Sequence, residues 1–366
     1  MQWAKRINTY KKTLLPRDIR LRPGVASDEF QAFEVMRRTM GYEMAWAHHE
    51  STRNHLRESP NCSFWLAEER GHFGGVKIVG YARSIVREKT LCLTEFFVLP
   101  GYHRKGIGNA LLTECIRAGD EAGATSRMVL ASHHPGANSL YVRKFGCTPR
   151  VPMMLLAGPL SRLRLPPELY RPIKETYLPF AFPPVNAANC EKSDYFLRAE
   201  PMILTPQIES RLSALDREIV GHSRTIDHRF WASTMGGAEG SSRLFRKVAP
   251  TTSVSNGTLS EKEADIVGYA YLGGSTSGPA LALNASDLPG MLTHVSILSR
   301  SKVDADDDND FILPTEQYWA IAGTNEVVLK WLLNCGWEIT FHYLLMSTAP
   351  IGRPENYVGN NPLYLL

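Results

Sequence analysis

Long apolar runs are missing from this sequence: no stretch approaches the roughly 20 residues that a membrane-spanning helix needs. Cysteine is scarce, with six in 366 residues and no C-x-x-C pair, which argues against a disulfide framework and against zinc spacing. The basic N-terminal residues 1–18 lack the apolar core and the cleavage site of a secretory signal. These absences predict a cytoplasmic protein with reduced thiols and no bound metal.

An excess of one charge sign is also missing. Lys and Arg number 41 and Asp and Glu number 37, so the net charge is only +4, and 43% of the residues are hydrophobic, as in ordinary globular proteins. This balance does not indicate a nucleic-acid or membrane partner, but it suits a basic pocket for a small anion. The acidic run 303–310 lacks the Gly and Glu of a calcium loop, which favours a solvated loop. The length predicts about two domains.

The most informative stretch runs from Leu91 to Leu112. It reads as an apolar strand to Leu99, a stop at Pro100-Gly101, a loop of basic residues and glycines, and then a helix start. A helix N-terminus offers free N–H groups and a favourable dipole, and glycines let a ligand approach the main chain. The pattern therefore predicts an anion site, and neither the P-loop nor the dinucleotide motif fits it.

The run from Val98 to Gly108 resembles the pyrophosphate loop of the GNAT N-acetyltransferase superfamily, V-x-P-x-x-[RQ]-x-x-G-x-[GA]. One position departs, because His103 stands where the family has Arg or Gln. The resemblance implies an acetyl-CoA co-substrate, with the strand backbone binding its pantetheine arm. The implied coenzyme-binding residues are Phe97, Val98, Leu99, His103, Arg104, Lys105, Gly106, Ile107, Gly108 and Asn138.

The order of strands and helices fits two domains of this family. Residues 1–160 are predicted to form a catalytic GNAT domain, 161–200 a Pro-rich packed linker and 201–366 a degenerate GNAT-like domain. The fold class is α/β (α+β), each domain having a mixed, mostly antiparallel twisted sheet flanked by helices. The repeat rests partly on Ile78–Ala82, which recurs as Ile266–Ala270.

The second copy lacks the chemistry of the first. After its third strand it reads Asn284-Ala285-Ser286-Asp287-Leu288-Pro289-Gly290, with no basic residue and no G-x-G loop. An aspartate has the wrong sign for binding a diphosphate. We therefore predict that the second domain does not bind acetyl-CoA in the manner of the family.

Acetyl transfer needs a neutral amine and a proton for the departing thiolate. Glu95 is a charged residue within the apolar strand and on the opposite face from Val98, so it is the candidate general base or anchor for the substrate ammonium; pairing with Arg83 is the alternative. Tyr141 resembles the family tyrosine that protonates the thiolate, although one extra residue separates it from Gly146 and a packed tyrosine is the alternative.

Two further segments have open interpretations. The range 41–57 faces the acceptor pocket in GNAT proteins, so its aromatic residues either line that pocket or pack on the core; they are Tyr42, Trp46, His48 and His49. The charged and aromatic segment 215–231 either reaches over the acceptor site or forms ion pairs around a buried Trp.

The sequence thus predicts an acetyl-CoA-dependent N-acetyltransferase that acts in a ternary complex on a primary amine, most simply a small molecule. The alternative is an acyl-CoA-binding regulatory or scaffold protein with little turnover. The identity of the acceptor and the oligomeric state are not indicated.

Overall fold

The computed structural model describes most of the chain, namely residues 15–41, 45–71, 75–170, 173–175, 195–235, 240–248, 265–273, 276–303 and 316–359. The chain divides into two compact units. Unit 1 comprises Met1–Arg150 and Leu344–Pro350, and unit 2 comprises Val151–Tyr343 and Ile351–Leu366. None of the helices in this described part is both long and apolar enough to cross a membrane.

Unit 1 is built on a mixed, mostly antiparallel sheet. Its elements are β1 (Ile19–Pro23), α1 (Glu29–Met40), α2 (Ala47–Glu58), β2 (Ser63–Arg70), β3 (Val76–Arg87), β4 (Thr90–Val98), α3 (Ile107–Glu121), β5 (Ser126–Ala131), α4 (Pro135–Leu140) and the end of β13 (Glu338–Ser347). The strands lie in the order β1-β2-β3-β4-β5-β13, and among the described pairs of this unit only β4 and β5 run parallel.

Helices cover both faces of the unit 1 sheet. Leu91 and Phe96 of β4 contact glycines of α3, whereas Glu95 contacts Arg53 of α2. Neighbouring residues of a strand point to opposite faces, so α3 and α2 lie on different sides of β4. Helix α1 buries Phe33 and other apolar residues one turn apart, which is why this amphipathic sequence folds against the sheet.

The strands of unit 2 are likewise mostly antiparallel. Its elements are most of β6 (Thr148–Gly158), β7 (Ile173–Glu175), β8 (Phe196–Pro201), α5 (Pro206–Ile219), α6 (Thr225–Thr234), β9 (Arg243–Val248), β10 (Ile266–Gly273), β11 (Thr276–Ala282), α7 (Leu288–Val303), β12 (Gln317–Ala322), α8 (Glu326–Asn334), the first residues of β13, and β14 (Tyr357–Gly359). The strand order is β6-β12-β14-β11-β10-β9-β8-β7. The rings of Trp319 and Trp337 stack in its core at 4.7 Å.

The predicted fold class is confirmed, and the strand that was predicted to end at Leu99 is β4, which ends at Val98. The two units divide the chain near residue 150, because β6 pairs with β12 of unit 2 and the end of β13 pairs with β5 of unit 1. The sequence reading also missed α6, β8 and β14. Much of the Pro-rich range 161–200 lies outside the described residues, as do Tyr42, the side chain of His48 and the acidic run from 304 onward.

Candidate active site

The loop between β4 and α3 contains two residues with a positive φ, a backbone conformation that few residue types adopt readily. After a 3₁₀ turn at Pro100–Tyr102, Arg104 has a φ of +62° and Gly106 a φ of +81°. Glycine adopts this left-handed region without a steric cost. Helix α3 then begins at Ile107, and no side chain within the described residues caps its first turn. Its free N–H groups and its dipole therefore favour an anion here.

The surroundings of this helix start are basic. Arg104 and Lys105 are exposed, and neither forms an ion pair within the part of the chain that the structure describes. The Lys105 ammonium lies 4.8 Å from the centre of the Tyr102 ring. A Cβ at Gly108 would come within 3.1 Å of the Phe96 ring, so the small residue lets α3 sit close to β4. The loop thus combines positive charge with close access to the main chain.

Strands β4 and β5 separate before β4 ends. Their parallel register stops at the pair Leu93↔Val129, whereas β4 continues to Val98. A register shift between β3 and β4 falls at Thr94, where the separation begins. Beyond Leu93, no residue of β4 pairs with β5 in the part of the chain that the structure describes. We call the opening between the two strands the unit 1 slot.

The backbone of Val98 faces the unit 1 slot. Leu99 donates its N–H to the Val79 carbonyl on the β3 side at 2.9 Å, and adjacent strand residues direct their N–H and C=O groups to opposite edges. Val98 and, by the same alternation, Phe96 therefore present backbone groups to the slot. The Val98 carbonyl accepts a hydrogen bond from His103 Nε2 at 2.8 Å. The Leu99 N–H, one of the backbone groups predicted to bind the coenzyme, is thus already bonded to the Val79 carbonyl.

A second histidine stands beside His103. The two rings, of His103 and His134, meet edge to face with centres 5.5 Å apart. His134 follows β5, and its Nδ1 accepts a hydrogen bond from Ala137 N at the start of α4. His134 was not predicted as a site residue, although its place directly after a strand was a signal for its position at the end of β5.

Helix α4 brings Asn138 and Tyr141 to the same region. Asn138 Oδ1 is buried and has no hydrogen-bond partner among the described residues. The Tyr141 ring is only 5% exposed and lies 5.9 Å from the Phe96 ring, which also touches Gly108. Burial raises the pKa of the Tyr141 hydroxyl, so the group stays protonated at neutral pH.

The extra residue between Tyr141 and Gly146 is taken up by a π-helical turn over Tyr141–Phe145. The Tyr141 carbonyl accepts hydrogen bonds from the N–H groups of Gly146 and Cys147, the latter at 3.1 Å. A π turn accommodates one more residue than an α turn, which keeps the surrounding helix intact. The local insertion therefore leaves Tyr141 packed against β4.

Glu95 lies in a buried ion-pair network on the other face of β4. Its side chain has no exposed surface; Oε1 accepts hydrogen bonds from Arg53 Nη1 and from the Tyr81 hydroxyl (2.9 Å), and Oε2 lies 2.7 Å from Arg83 Nε. A second carboxylate, Glu29, accepts from Arg53 Nε at 3.1 Å and from Arg83 Nη2 at 2.6 Å. Two carboxylates thus balance two guanidinium groups.

This network is the part of the site that sequence reasoning largely missed. Pairing with Arg83 was anticipated, but Arg53 and Glu29 were not, because α2 is polar and its sequence resembles that of a surface helix. The one available signal was spacing, since His49, Arg53 and Arg57 recur every four residues on one helix face. Trp46 packs edge to face on Phe33 at 5.3 Å, so it is part of the α1–α2 packing.

Unit 2 repeats the register of this region with different contents. Gly268↔Ala282 matches Gly80↔Val98, and the pair one residue on, Tyr269↔Leu281, matches Tyr81↔Phe97. The segment between β11 and α7 is bonded within the chain: Asn284 Oδ1 accepts from Ser286 N, and the buried Asp287 accepts from the Tyr195 hydroxyl at 2.8 and 2.9 Å. A carboxylate therefore lies where unit 1 has its basic loop.

The segment 215–231 is part of the same comparison. Asp216 is completely buried and accepts from Arg224, from the Tyr269 hydroxyl (2.7 Å) and from His228 Nε2 (2.9 Å). Trp231 is also completely buried. These three charged residues are therefore core residues of unit 2, whereas Glu218 and Arg229 of the same segment form ion pairs at the surface, with Arg353 and Glu209.

Comparison with known proteins agrees with this geometry. The family model described as "Acetyltransferase (GNAT) family" matches residues 30–147. The matched residues form most of unit 1 and are similar to the acetyltransferase domains of that family. No curated protein matches the sequence.

Solved structures extend the likeness in fold to nearly the whole chain. A protein from Pyrococcus horikoshii assigned as an acetyltransferase is 12% identical, with 96% of each chain covered and a TM-score of 0.59. A GCN5-related N-acetyltransferase from Sphaerobacter thermophilus is 13% identical over 93% of this chain and 98% of that one, with a TM-score of 0.55. A tandem GNAT protein from the clavulanic acid biosynthesis pathway is 16% identical over 91% and 99%, with a TM-score of 0.51. The chain thus shares the fold of these proteins over nearly its whole length.

Proposed function

We propose that the chain is an acetyl-CoA-dependent N-acetyltransferase whose site lies in unit 1 and whose acceptor is a primary amine. The observation that supports this best is the slot between β4 and β5, next to an uncapped, basic helix start. A slot lined by strand backbone suits an extended amide-containing chain, and the helix start suits a diphosphate. In this proposal the second half of the chain, from residue 201, is the degenerate partner domain.

The residues that would hold the coenzyme fit its chemistry. The diphosphate would lie on the α3 amides beside Arg104 and Lys105, where Gly106 and Gly108 leave the main chain accessible. The unpartnered Asn138 Oδ1 offers an acceptor for an amide N–H of the pantetheine arm. When bound, acetyl-CoA supplies an activated acetyl thioester.

Tyr141 is proposed as the proton donor to the leaving thiolate. Its raised pKa keeps the hydroxyl protonated, and its packing on Phe96 fixes it beside the β4 backbone that lines the slot. The amine nitrogen would attack the thioester carbonyl directly and give up one proton to a base as the carbon–sulfur bond breaks, without an acyl-enzyme. The Tyr141 proton would pass to the sulfur.

For Glu95 we propose a positioning role in preference to that of general base. Its carboxylate is already bonded to Arg53, Arg83 and the Tyr81 hydroxyl, and its side chain has no exposed surface that an amine could reach. The ion pairs would instead hold α2 and β4 together on the acceptor side of the sheet. His49, one turn before Arg53 on the same helix face, is then the candidate base.

A scaffold protein that binds acyl-CoA with little turnover is the second candidate. The observation in its favour is that both predicted catalytic side chains, Glu95 and Tyr141, are buried. In that case the coenzyme would bind in the unit 1 slot but no amine would be acetylated.

The deciding experiment combines calorimetric titration with acetyl-CoA and a broad screen of amines monitored by thiol release. The proposal expects one bound acetyl-CoA and release of thiol with at least one small amine, in the cytoplasmic pH range. Binding without thiol release for any amine would favour the scaffold. Absence of binding would contradict both functions. His49→Ala, with His55→Ala as a control on the same helix, would then test the base.

A further inference from the structure

Strand β14 lies between two strands of unit 2 that would otherwise border an opening. It pairs antiparallel with β11 through Ala280↔Val358 and Leu281↔Tyr357. It also pairs antiparallel with β12, where Val358 is again a partner. Three residues of the C-terminal part of the chain thus bridge the β11 and β12 edges.

The register identifies this opening as the counterpart of the unit 1 slot. In unit 1 the slot begins where β4 leaves β5, and Phe96 and Val98 present their backbone to it. In unit 2 the matching β10–β11 pairs make Ala280 and Ala282 the equivalents of those two residues. Strand β14 pairs with β11 at Ala280, and therefore occupies the position that stays open in unit 1.

Side chains hold this strand in place. Val358 is completely buried, and Asn356 is 1% exposed. Asn356 Nδ2 donates to the Ala282 carbonyl at 2.7 Å, and the Tyr357 hydroxyl accepts from Arg224 Nη1 at 2.7 Å. The Ala282 carbonyl is the equivalent of the Val98 carbonyl, to which His103 donates in unit 1. The chain therefore satisfies in unit 2 a backbone group that faces the slot in unit 1.

We propose that Pro354–Gly359 is an internal occupant of a second slot and closes that slot to coenzyme. Closed by its own strand and carrying Asp287 at the adjoining helix start, unit 2 takes up no acetyl-CoA, so the chain binds one coenzyme. The nature of the excluded ligand rests on the proposed function, whereas occupation of the slot by β14 does not.

Hydrogen exchange of the full chain without ligand tests the occupant. Val358→Ala and Val328→Ala each remove two methyl groups from a completely buried valine of unit 2, in β14 and in α8. Val358→Ala should speed exchange of 280–282, 320–321 and 357–359 about tenfold and leave α7 and α8 unchanged. Val328→Ala should not single out these segments. Equal acceleration throughout unit 2 by both variants would make β14 an ordinary core strand and overturn the proposal.

A stronger variant adds a rescue experiment. Val358→Asp places a charge between two strands and should expel β14, and a synthetic peptide of residues 351–359 should then restore protection at 280–282 and 320–321. If the variant folds and the peptide does not restore protection, the proposal that β14 occupies a slot is contradicted. If the variant does not fold, the comparison of Val358→Ala with Val328→Ala is the deciding test. In the unsubstituted chain, added coenzyme A should leave exchange of 357–359 unchanged. Faster exchange there, or a second bound coenzyme, would contradict closure, whereas absence of any coenzyme effect would contradict only the proposed function.

Discussion

The two units share a buried anchor and differ in the opening beside it. Tyr81 and Tyr269 occupy the same register, and each hydroxyl donates to a buried carboxylate that also accepts from an arginine. Unit 1 has an open strand edge and a basic helix start, and unit 2 has β14 and Asp287 in the corresponding places. The anchor is present in both units and the opening in one, which favours a folding role for the anchor and, under the proposed function, a binding role for the opening.

The largest expected effect concerns the shared anchors. Glu95→Gln leaves Arg53 and Arg83 with Glu29 as their remaining carboxylate, and Asp216→Asn removes the charge that pairs with Arg224, so each should lower the free energy of unfolding by about 4 kcal/mol. Chemical denaturation measures this, with Glu326→Gln in the exposed pair with Lys330 as a control that should change little. A loss of turnover in Glu95→Gln at full stability would instead make Glu95 catalytic and separate the two anchors.

Acid should weaken the anchor of unit 2. Burial by itself would raise the pKa of Asp216, but Arg224 and His228 outweigh burial and hold that pKa well below 3.8. The carboxylate therefore stabilises the fold fully above its unfolded pKa, and this contribution is lost as the pH falls below 3.8 toward the folded pKa. The stability difference between the natural chain and Asp216→Asn should shrink from pH 7 to pH 3. Glu338→Gln, an exposed change of equal charge, should show no such trend.

The open slot should fail when its loop is strained. Gly106→Val forces a β-branched residue to a φ of +81° and should weaken acetyl-CoA binding at least about a hundredfold. Gly123 has a φ of +78° beyond the other end of α3, so Gly123→Val carries similar backbone strain away from the slot. Calorimetry should find normal binding in that control. Equal losses in both variants would mean that general destabilisation, and not the loop, sets affinity.

Tyr141 separates chemistry from packing. Tyr141→Phe should lower kcat about thirtyfold and leave the acetyl-CoA dissociation constant almost unchanged, because only the proton donor is lost. Tyr357→Phe in unit 2 removes a hydroxyl from a tyrosine of similar burial, 6% exposed against 5%. It should lower stability and leave kcat unchanged. Similar kcat values for Tyr141→Phe and the natural chain would assign Tyr141 to packing alone.

Local patterns explain what the sequence could predict. Helix and strand periodicity and the glycines at 106 and 108 depend on residues that are close together in sequence. The repeated segment that contains Tyr81 in one copy and Tyr269 in the other has the same strand register in both units. The pairings of β6 with β12, of β13 with β5 and of β14 with β11 join residues that are far apart in sequence. Periodicity within one segment does not predict such pairings. The Arg53–Glu95 pair was missed because the arginine belongs to a polar helix, and burial of a charge depends on a partner that only the fold supplies.

The smallest expected effect falls on the two carbonyls at the slots. His103 donates to the Val98 carbonyl, and Asn356 donates to its unit 2 equivalent. His103→Ala should weaken acetyl-CoA binding about fivefold by removing a donor beside the phosphate loop, whereas His103→Gln, which restores the side chain of the family pattern, should bind normally. Asn356→Ala should not affect binding, because its carbonyl lies in the closed slot. Tighter binding by His103→Ala would mean that His103 competes with the coenzyme for the Val98 carbonyl. Asn356 already donates to the equivalent carbonyl of unit 2. In that case both slots would be closed by a side chain of the chain itself, the unit 1 slot only partly.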